Sequence, residues 1–484
     1  MSGTFPSPGW WLASDGRWYP PDVRPAPPAD TGPTARRVRP AKGARMPTAQ
    51  RWIVAVLSAA LVALVALIAV QESSPAPLPM STLHVVAGPV AAGSDALVVA
   101  RAADGNLDLA AVDPSSQTVV WRLRYSASEI TAGVYLQPTY VAGVTVDLVP
   151  TGGASSRSVV VEGVSVASGS VLWRRPAQLV TSPPTSCADR RDICVVATGQ
   201  LQLISPTSGA VVHTVDQVER TLSTDLYELT GTPETWLQIG ASGTVRWTRT
   251  LASIFGPGFS SNYGWALFSV GNLDYGSVGY APQGRSDNLA LAKTVGFSAA
   301  TGRPVWSVSG ELDCGGPLAE MAKAPVVCRY TGIVQEPTPG ALPSFAGITL
   351  VLEGLDPTTG AITWSQPVTD VGLLSLGTRV PFTAATQLVV TTPSGSRVLL
   401  NLRTGRTTAI APGAVFWCAN STERYPTSGV PGGDRIAVPS YGGCTSNGVA
   451  TGRHPAQVPA TAGVRVGQQV IWLSANGLVT SPGG

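Results

Sequence analysis

The residues able to do acid–base or metal chemistry are few and scattered. The chain has three histidines, His84, His213 and His454, far apart and without a motif around any of them. Six cysteines, Cys187, Cys194, Cys314, Cys328, Cys418 and Cys444, all fall in the later part of the chain. None is in a C-x-x-C pair and none has a histidine beside it, which disfavours a zinc site. An even number in one region instead reads as a disulfide framework for an oxidising compartment. Nearest-neighbour pairing, 187–194, 314–328 and 418–444, is the simplest of the possible connectivities. The carboxylates of Asp113-Pro114 and Asp356-Pro357 sit in repeated turn phrases, so they read as turn formers and not as an acid–base pair. No G-x-S-x-G elbow, P-loop or H-E-x-x-H is present. No catalytic, cofactor-binding or metal-ligating residue is assigned. Asn420-Ser421-Thr422 matches a glycosylation sequon.

The turn phrase itself is the strongest signal. Asp356 to Trp364 reads DPTTGAITW. Pro357 fixes φ for a turn, Asp356 bonds its own backbone, and Gly360 supplies positive φ. β-Branched and apolar residues flank it, so it reads as strand, turn, strand. VASGSVLW, GASGTVRW and AATGRPVW repeat it and end at Trp173, Trp247 and Trp306. DPSSQTVVW keeps the Asp-Pro and Trp121 but has Gln117 for Gly. SPTSGAVVH has His213 where the others have Trp, so a packing role is expected for that histidine. LRTGRTTA keeps only the turn, and SANG at 474–477 is the weakest copy. The turns centre on 117, 169, 209, 243, 302, 360, 405 and 477, at spacings of 34 to 72 residues. Strand-type units repeating at that interval predict an all-β propeller, one four-stranded blade per unit. Eight turns predict eight blades, and the short 34- and 40-residue spacings keep seven open. The five tryptophans, Trp121, Trp173, Trp247, Trp306 and Trp364, are expected to hold blades together. The strand Leu83–Val90 is expected to close the ring by completing the last blade.

The phrase D-P-x-T-G-x-x-x-W resembles the repeat of the PQQ-like, or quinoprotein-like, propeller family, over roughly Ser81 to the C-terminus. The resemblance implies the fold. It leaves activity open, since that family holds both quinone-dependent dehydrogenases and non-enzymatic scaffolds. Quinone-binding members typically carry a Glu/Asn/Asp metal set, an Asp base and often adjacent cysteines. No adjacent cysteines occur in this chain, the metal set maps onto no stretch, and no cofactor is expected.

The first fifty residues are of another kind. Met1–Gln50 is rich in Pro, Gly, Arg and Ala and cannot bury enough apolar surface to order itself. One aromatic island, Pro8–Asp22 (PGWWLASDGRWYPPD), places Trp10, Trp11, Trp18 and Tyr19 around an Asp-Gly turn and predicts a minimal hairpin. It resembles the short Trp- and Gly-rich N-terminal modules of actinobacterial membrane proteins. It reads either as a docking island or as a weakly ordered aromatic patch. Trp52–Val70 then runs nineteen residues without a charge, about 28 Å of helix, close to the hydrocarbon thickness of a bilayer. A single uncleaved span is expected, with a secretory signal peptide as the competing reading. Before it lie eight basic and three acidic residues, out of 32 and 29 in the whole chain, so the later part is slightly acidic. The positive flank predicts a cytoplasmic N-terminus and an extracytoplasmic propeller. The acidic balance outside excludes a nucleic-acid footprint. Gln71–Met80 reads as a short Pro/Ser spacer and residues 81–484 as the propeller. With only three lysines against 29 arginines, the composition is that of a GC-rich genome, consistent with an actinobacterium.

The function expected from these readings is a cell-surface, non-enzymatic interaction or envelope scaffold. The membrane is engaged through residues 52–70. A protein or envelope partner is engaged through blade-connecting loops, with Pro257–Ser286 and Asn420–Ala450 as candidate inserts. The alternatives are a quinone-dependent oxidoreductase and a transmembrane sensor linking an outer ligand to the aromatic island.

Overall fold

The structure, a computed structural model, describes residues 11–12, 18–19 and 78–483, apart from 105, 126–137, 151–157, 179, 181, 189, 241–242, 281–291, 313–317, 336–343, 370–379, 385, 427–434 and 460. The chain divides into two compact units, Met1–Ala76 and Pro77–Gly484. In the first, β1 (Trp11–Leu12) pairs antiparallel with β2 (Trp18–Tyr19), with Trp11 opposite Tyr19. The predicted membrane span lies outside the described residues. Among those described, no helix is long and apolar enough to cross a membrane.

The second unit is an all-β, eight-bladed propeller. Blade 1 is β3 (His84–Ala92), β4 (Asp95–Arg101), β5 (Leu107–Asp113) and β6 (Thr118–Tyr125). Blade 2 is β7 (Thr139–Val141), β8 (Val144–Pro150), β9 (Ser158–Ser165) and β10 (Val171–Gln178). Blade 3 is β11 (Thr185–Ser186), β12 (Ile193–Ala197), β13 (Gln200–Ile204) and β14 (Val211–Asp216). Blade 4 is β15 (Val218–Thr221), β16 (Leu226–Leu229), β17 (Thr235–Ile239) and β18 (Val245–Thr250). Blade 5 is β19 (Phe259–Val270), β20 (Leu273–Tyr280), β21 (Lys293–Ser298) and β22 (Pro304–Ser309). Blade 6 is β23 (Glu311–Leu312), β24 (Val326–Gln335), β25 (Ser344–Leu355) and β26 (Ile362–Val368).

The last two sheets are less regular. β27 (Gln387–Thr391), β28 (Arg397–Asn401) and β29 (Thr407–Ala409) form one sheet with the hairpin β30 (Phe416–Pro426) and β31 (Arg435–Cys444). Phe382 joins the two parts by bridging to both Leu388 and Trp417. The eighth sheet is β32 (Val464–Val466), β33 (Gln469–Ser474) and β34 (Gly477–Pro482). β3 packs beside both β7 and β32, so the first blade touches the second and the last.

Two of the expected loop inserts are mostly strand. Phe259–Val270 and Leu273–Tyr280 make up most of Pro257–Ser286, and β30 and β31 make up most of Asn420–Ala450. Their aromatic and β-branched residues favour the pleated surface, and Gly271 at φ 61° makes the tight reversal between β19 and β20.

The turn phrase connects the third and fourth strands of each of the first six blades. At Ser165, Ser205, Ser298, Asp356 and Asn401 the same pair of backbone bonds closes it: the glycine N–H donates to the first residue's carbonyl, and the first residue's N–H to the carbonyl after the glycine. Asp356 Oδ1 also accepts from the N–H groups of Thr358 and Thr359 at 2.9 and 2.8 Å, and Asp113 Oδ1 from that of Ser115 at 2.8 Å. Hydrogen bonds to these carboxylates hold both below their ordinary pKa. Both aspartates therefore cap their own turns.

Each tryptophan locks one blade to the next. The indole N–H groups of Trp121, Trp173 and Trp306 donate to the carbonyls of Val166, Pro206 and Pro357 in the following blade's turn, at 2.6, 2.6 and 3.0 Å. The turn glycine of that next blade lies flat on the ring: a Cβ at Gly169, Gly209 or Gly360 would come within 2.6 Å of the indole. Under the ring sits a second glycine, across the sheet from the tryptophan: Gly163 under Trp173, Gly296 under Trp306 and Gly354 under Trp364. A side chain there would overlap the indole. A register shift precedes the tryptophan in every one of these blades, tipping the outer strand. His213 takes the tryptophan's place in blade 3 and meets Gly243 of the next turn.

The ring closes differently. Leu83–Val90 does not complete the last blade, because β3 is the innermost strand of a full four-stranded blade 1. Instead the preceding segment adds to the outer edge of β6. Met80 N–H donates to the Gln117 carbonyl and Val119 N–H to the Leu78 carbonyl, both at 2.9 Å. Met80 and Leu83 are buried with Ile471, Leu473 and Leu478 of the eighth sheet. The Gln117 side-chain N–H donates to Thr480 Oγ1 at 3.1 Å. The copy that lost its glycine thus faces a blade whose outer strand has no tryptophan, and the strap Leu78–Leu83 fills the place of that contact. Met80→Ala should cost about 2–5 kcal/mol in chemical denaturation. A cost below about 1 kcal/mol would show that the strap does not hold the seam.

Candidate functional site: a buried carboxyl pair and the loop-bearing face

Strand direction sorts the connections onto two faces. Turns from first to second and from third to fourth strands share one face. Links from second to third strands, and from one blade to the next, share the other. The turn face carries the phrase and also the link from β23 to β24, which includes the short helix Leu318–Ala322. The other presents Asp104, between β4 and β5, and Thr230, between β16 and β17. It is called the loop face below.

The cysteines act as staples. Cys187–Cys194 closes the β11–β12 connection and Cys418–Cys444 ties β30 to β31, with Cα–Cα distances of 5.1 and 5.9 Å. Both match the expected pairs. Cys328 is also disulfide-bonded, and its expected partner Cys314 lies outside the described residues. His84 begins β3, and His454 stacks on Trp417 with ring centroids 5.6 Å apart. The three histidines sit in different blades and do not converge. Asn420 of the sequon is paired with Ser440 within β30–β31.

Buried carboxylates are a feature that sequence reasoning missed. Asp108, Glu162, Glu228 and Glu353 each point inward from a sheet and meet an arginine of a neighbouring strand: Arg124 at 3.0 Å, Arg174, Arg220 at 2.7 Å and Arg329 at 3.0 Å. Between blades 4 and 5, the Gln238 amide donates to Asp225 at 3.0 Å and Asp274 at 3.3 Å, while its oxygen accepts from Trp247 Nε1 at 2.7 Å. Burial raises the Asp274 carboxyl above its ordinary range, and burial does the same to Glu228.

Asp147 is the outlier. It sits on β8 directly across from Glu162 on β9 and is 7% exposed. Glu162 is served by the Arg174 guanidinium and by the Tyr125 hydroxyl at 3.2 Å, whereas Asp147 Oδ2 has no hydrogen-bond partner. Burial first, and then the neighbouring Glu162, push its pKa up to about 8. At neutral pH Asp147 is therefore a neutral acid beside an ion-paired glutamate. Its neighbour on the same face of β8, Thr145, is fully buried and its hydroxyl also lacks a partner. Among the described residues no group of three or more His, Cys, Asp or Glu could hold a metal ion. A signal for Asp147 could not be read from the chain, because its partner is fifteen residues away and only strand register joins them.

No family model matches the chain, and no curated protein matches it. Among solved structures it is similar to BamB from Moraxella catarrhalis, at 15% identity over 84% of this chain and 96% of that one, with a TM-score of 0.40. It is also similar to a quinohemoprotein alcohol dehydrogenase from Comamonas testosteroni, at 10% identity over 70% and 71% of the two chains, TM-score 0.36. A second such dehydrogenase, from Pseudomonas putida HK5, aligns at 11% identity over 76% and 67%, TM-score 0.32. All three TM-scores are below 0.5, and the eight-bladed architecture stands on the strand pairing described above.

Proposed function

We propose that this protein is a membrane-anchored propeller, held outside the cytoplasm, that serves as a non-enzymatic scaffold for a protein or cell-envelope partner. The observation that carries this reading is the locking of blade to blade by tryptophan and turn glycine, which makes the ring a rigid frame and fixes the positions from which blade-connecting loops are presented. Binding surfaces of rigid scaffolds are built on such loops. The apolar run 52–70, its basic flank and the disulfide staples support the placement. The test is site-specific photo-crosslinking in intact cells. A probe at Asp104 or Thr230, exposed on the loop face, should capture one and the same partner, and a probe at Ser168 or Thr359, exposed on the turn face, should not. Equal capture from both faces, or none from either, would sink the proposal.

A further inference from the structure

The outer rim of the ring carries a patterned set of exposed aliphatic residues. Val120, Leu172, Val212, Val245, Val305 and Ile362 are all exposed, one per blade, each near the start of the outermost strand. These strands end their sheets, so among the described residues each leaves a row of backbone groups without a ladder partner, apart from the start of β6 under the strap. Exposed edges of that kind invite another strand, and folded proteins normally guard them with charge, proline or a covering segment.

The guards can be read off blade by blade. β6 carries Arg122 and Arg124 and is partly covered by Leu78–Met80. β10 has Arg174, Arg175 and Pro176, and β18 has Arg246 and Arg249. β22 begins with Pro304, β26 contains Pro367 and β34 ends with Pro482. β29 is three residues long. β14, Val211-Val212-His213-Thr214-Val215-Asp216, is the one longer outer strand with no lysine, arginine or proline. Val212 is 56% exposed, more than any of the other five rim aliphatics. The strap on β6 shows that an uncharged extended segment, Leu78-Pro79-Met80, does seat on such an edge of this ring.

We infer that β14 is a homotypic docking edge, on which a second copy of this chain lays its own β14 antiparallel across a two-fold axis. The strand is self-complementary. With the axis at His213, Val211 meets Val215 and Val212 meets Thr214, and no like charges oppose. Such an interface is isologous and closes as a dimer, so it leaves no further open β14 edge. A six-residue edge buries little surface. The inference therefore rests in one respect on the proposed membrane anchor, which confines copies to one plane and raises their effective concentration.

The test uses the full chain in its native membranes. Among the described residues there are no free cysteines, so a single introduced thiol reports on its own surroundings. Thr214→Cys is treated with a bis-maleimide of about 8 Å reach, enough for opposite and diagonal neighbours. The control is Ser307→Cys, at the same exposed position of the proline-guarded β22. The 214 variant should give a covalent homodimer in about tenfold higher yield than the control, as expected for a docked pair over random collision. Adding Val212→Lys, a surface change that supplies the missing guard, should bring the yield down to the control. Equal yields at 214 and 307, or a yield that Val212→Lys leaves unchanged, would overturn the inference. So would a 214 adduct with a different protein, which would make the edge heterotypic. These outcomes are separate from the loop-face test, since a monomer can still capture a partner at Asp104 and a dimer can still fail to.

Discussion

Trp306→Ala should destabilise the propeller by about 3–5 kcal/mol, the range for removing a buried tryptophan from a packed site. Trp306 is 9% exposed and is held on every side. Tyr275 stacks on it at 5.6 Å, Pro357 accepts its indole hydrogen, Gly296 lies under the ring and Gly360 over it. Gly360→Ala should also be costly, for two separable reasons. Its φ of 70° disfavours any side chain by about 1 kcal/mol or more, and the new methyl would press on the indole. Only the second part depends on the tryptophan. In a double-mutant cycle the cost of Gly360→Ala should therefore fall toward the backbone part alone when residue 306 is alanine. Additive costs in urea titration would mean that the glycine is required by the turn and not by the neighbouring blade.

Asp147→Asn should stabilise the protein at pH 8 by about 2–5 kcal/mol, after discounting the full shift for relaxation around the site. The sign follows from proton binding. The folded-state pKa is raised to about 8 from 3.8, so between roughly pH 4 and pH 8 the folded protein holds a proton that the unfolded chain releases. Stability from this group is therefore greatest below pH 4, declines as pH rises to 8, and is flat above. Asparagine is neutral throughout and removes that slope. Parallel stability–pH curves for the two proteins, measured by urea unfolding, would show that Asp147 ionises normally. Glu162 must remain in both, since Arg174 and Tyr125 are built around its charge.

Much of the fold was legible in the chain because its repeat is written with residues that have few substitutes. A glycine at positive φ, an aspartate capping its own turn and a tryptophan four residues on leave a readable trace wherever they recur. His213 was legible for the same reason, as a departure from a fixed position. The second glycine leaves a trace too: Gly163, Gly296 and Gly354 each stand ten residues before their tryptophan. The long hairpins of blade 5 and of β30–β31 read as loops in the sequence because glycine and asparagine interrupt their apolar pattern. The closing strap could not be read, since Leu78–Leu83 looks like the end of a spacer and only its pairing with Gln117 and Val119 reveals its place. The buried carboxyl pair was hidden on the same ground. Asp147 and Glu162 are unremarkable singly, and their opposition exists only once β8 and β9 are in register.

The strap leaves this ring with one joint of a different make. Seven junctions are continuous in the chain, whereas the eighth is held by side-chain packing, a few hydrogen bonds and Gln117 against Thr480. New chain ends could be opened at any other junction if residues near 78 and 482 were joined by a short linker, giving a circular permutant with the same blades in the same order. The same joint is where an added or deleted unit would disturb the fewest covalent neighbours, so blade number in such a ring is most easily changed there.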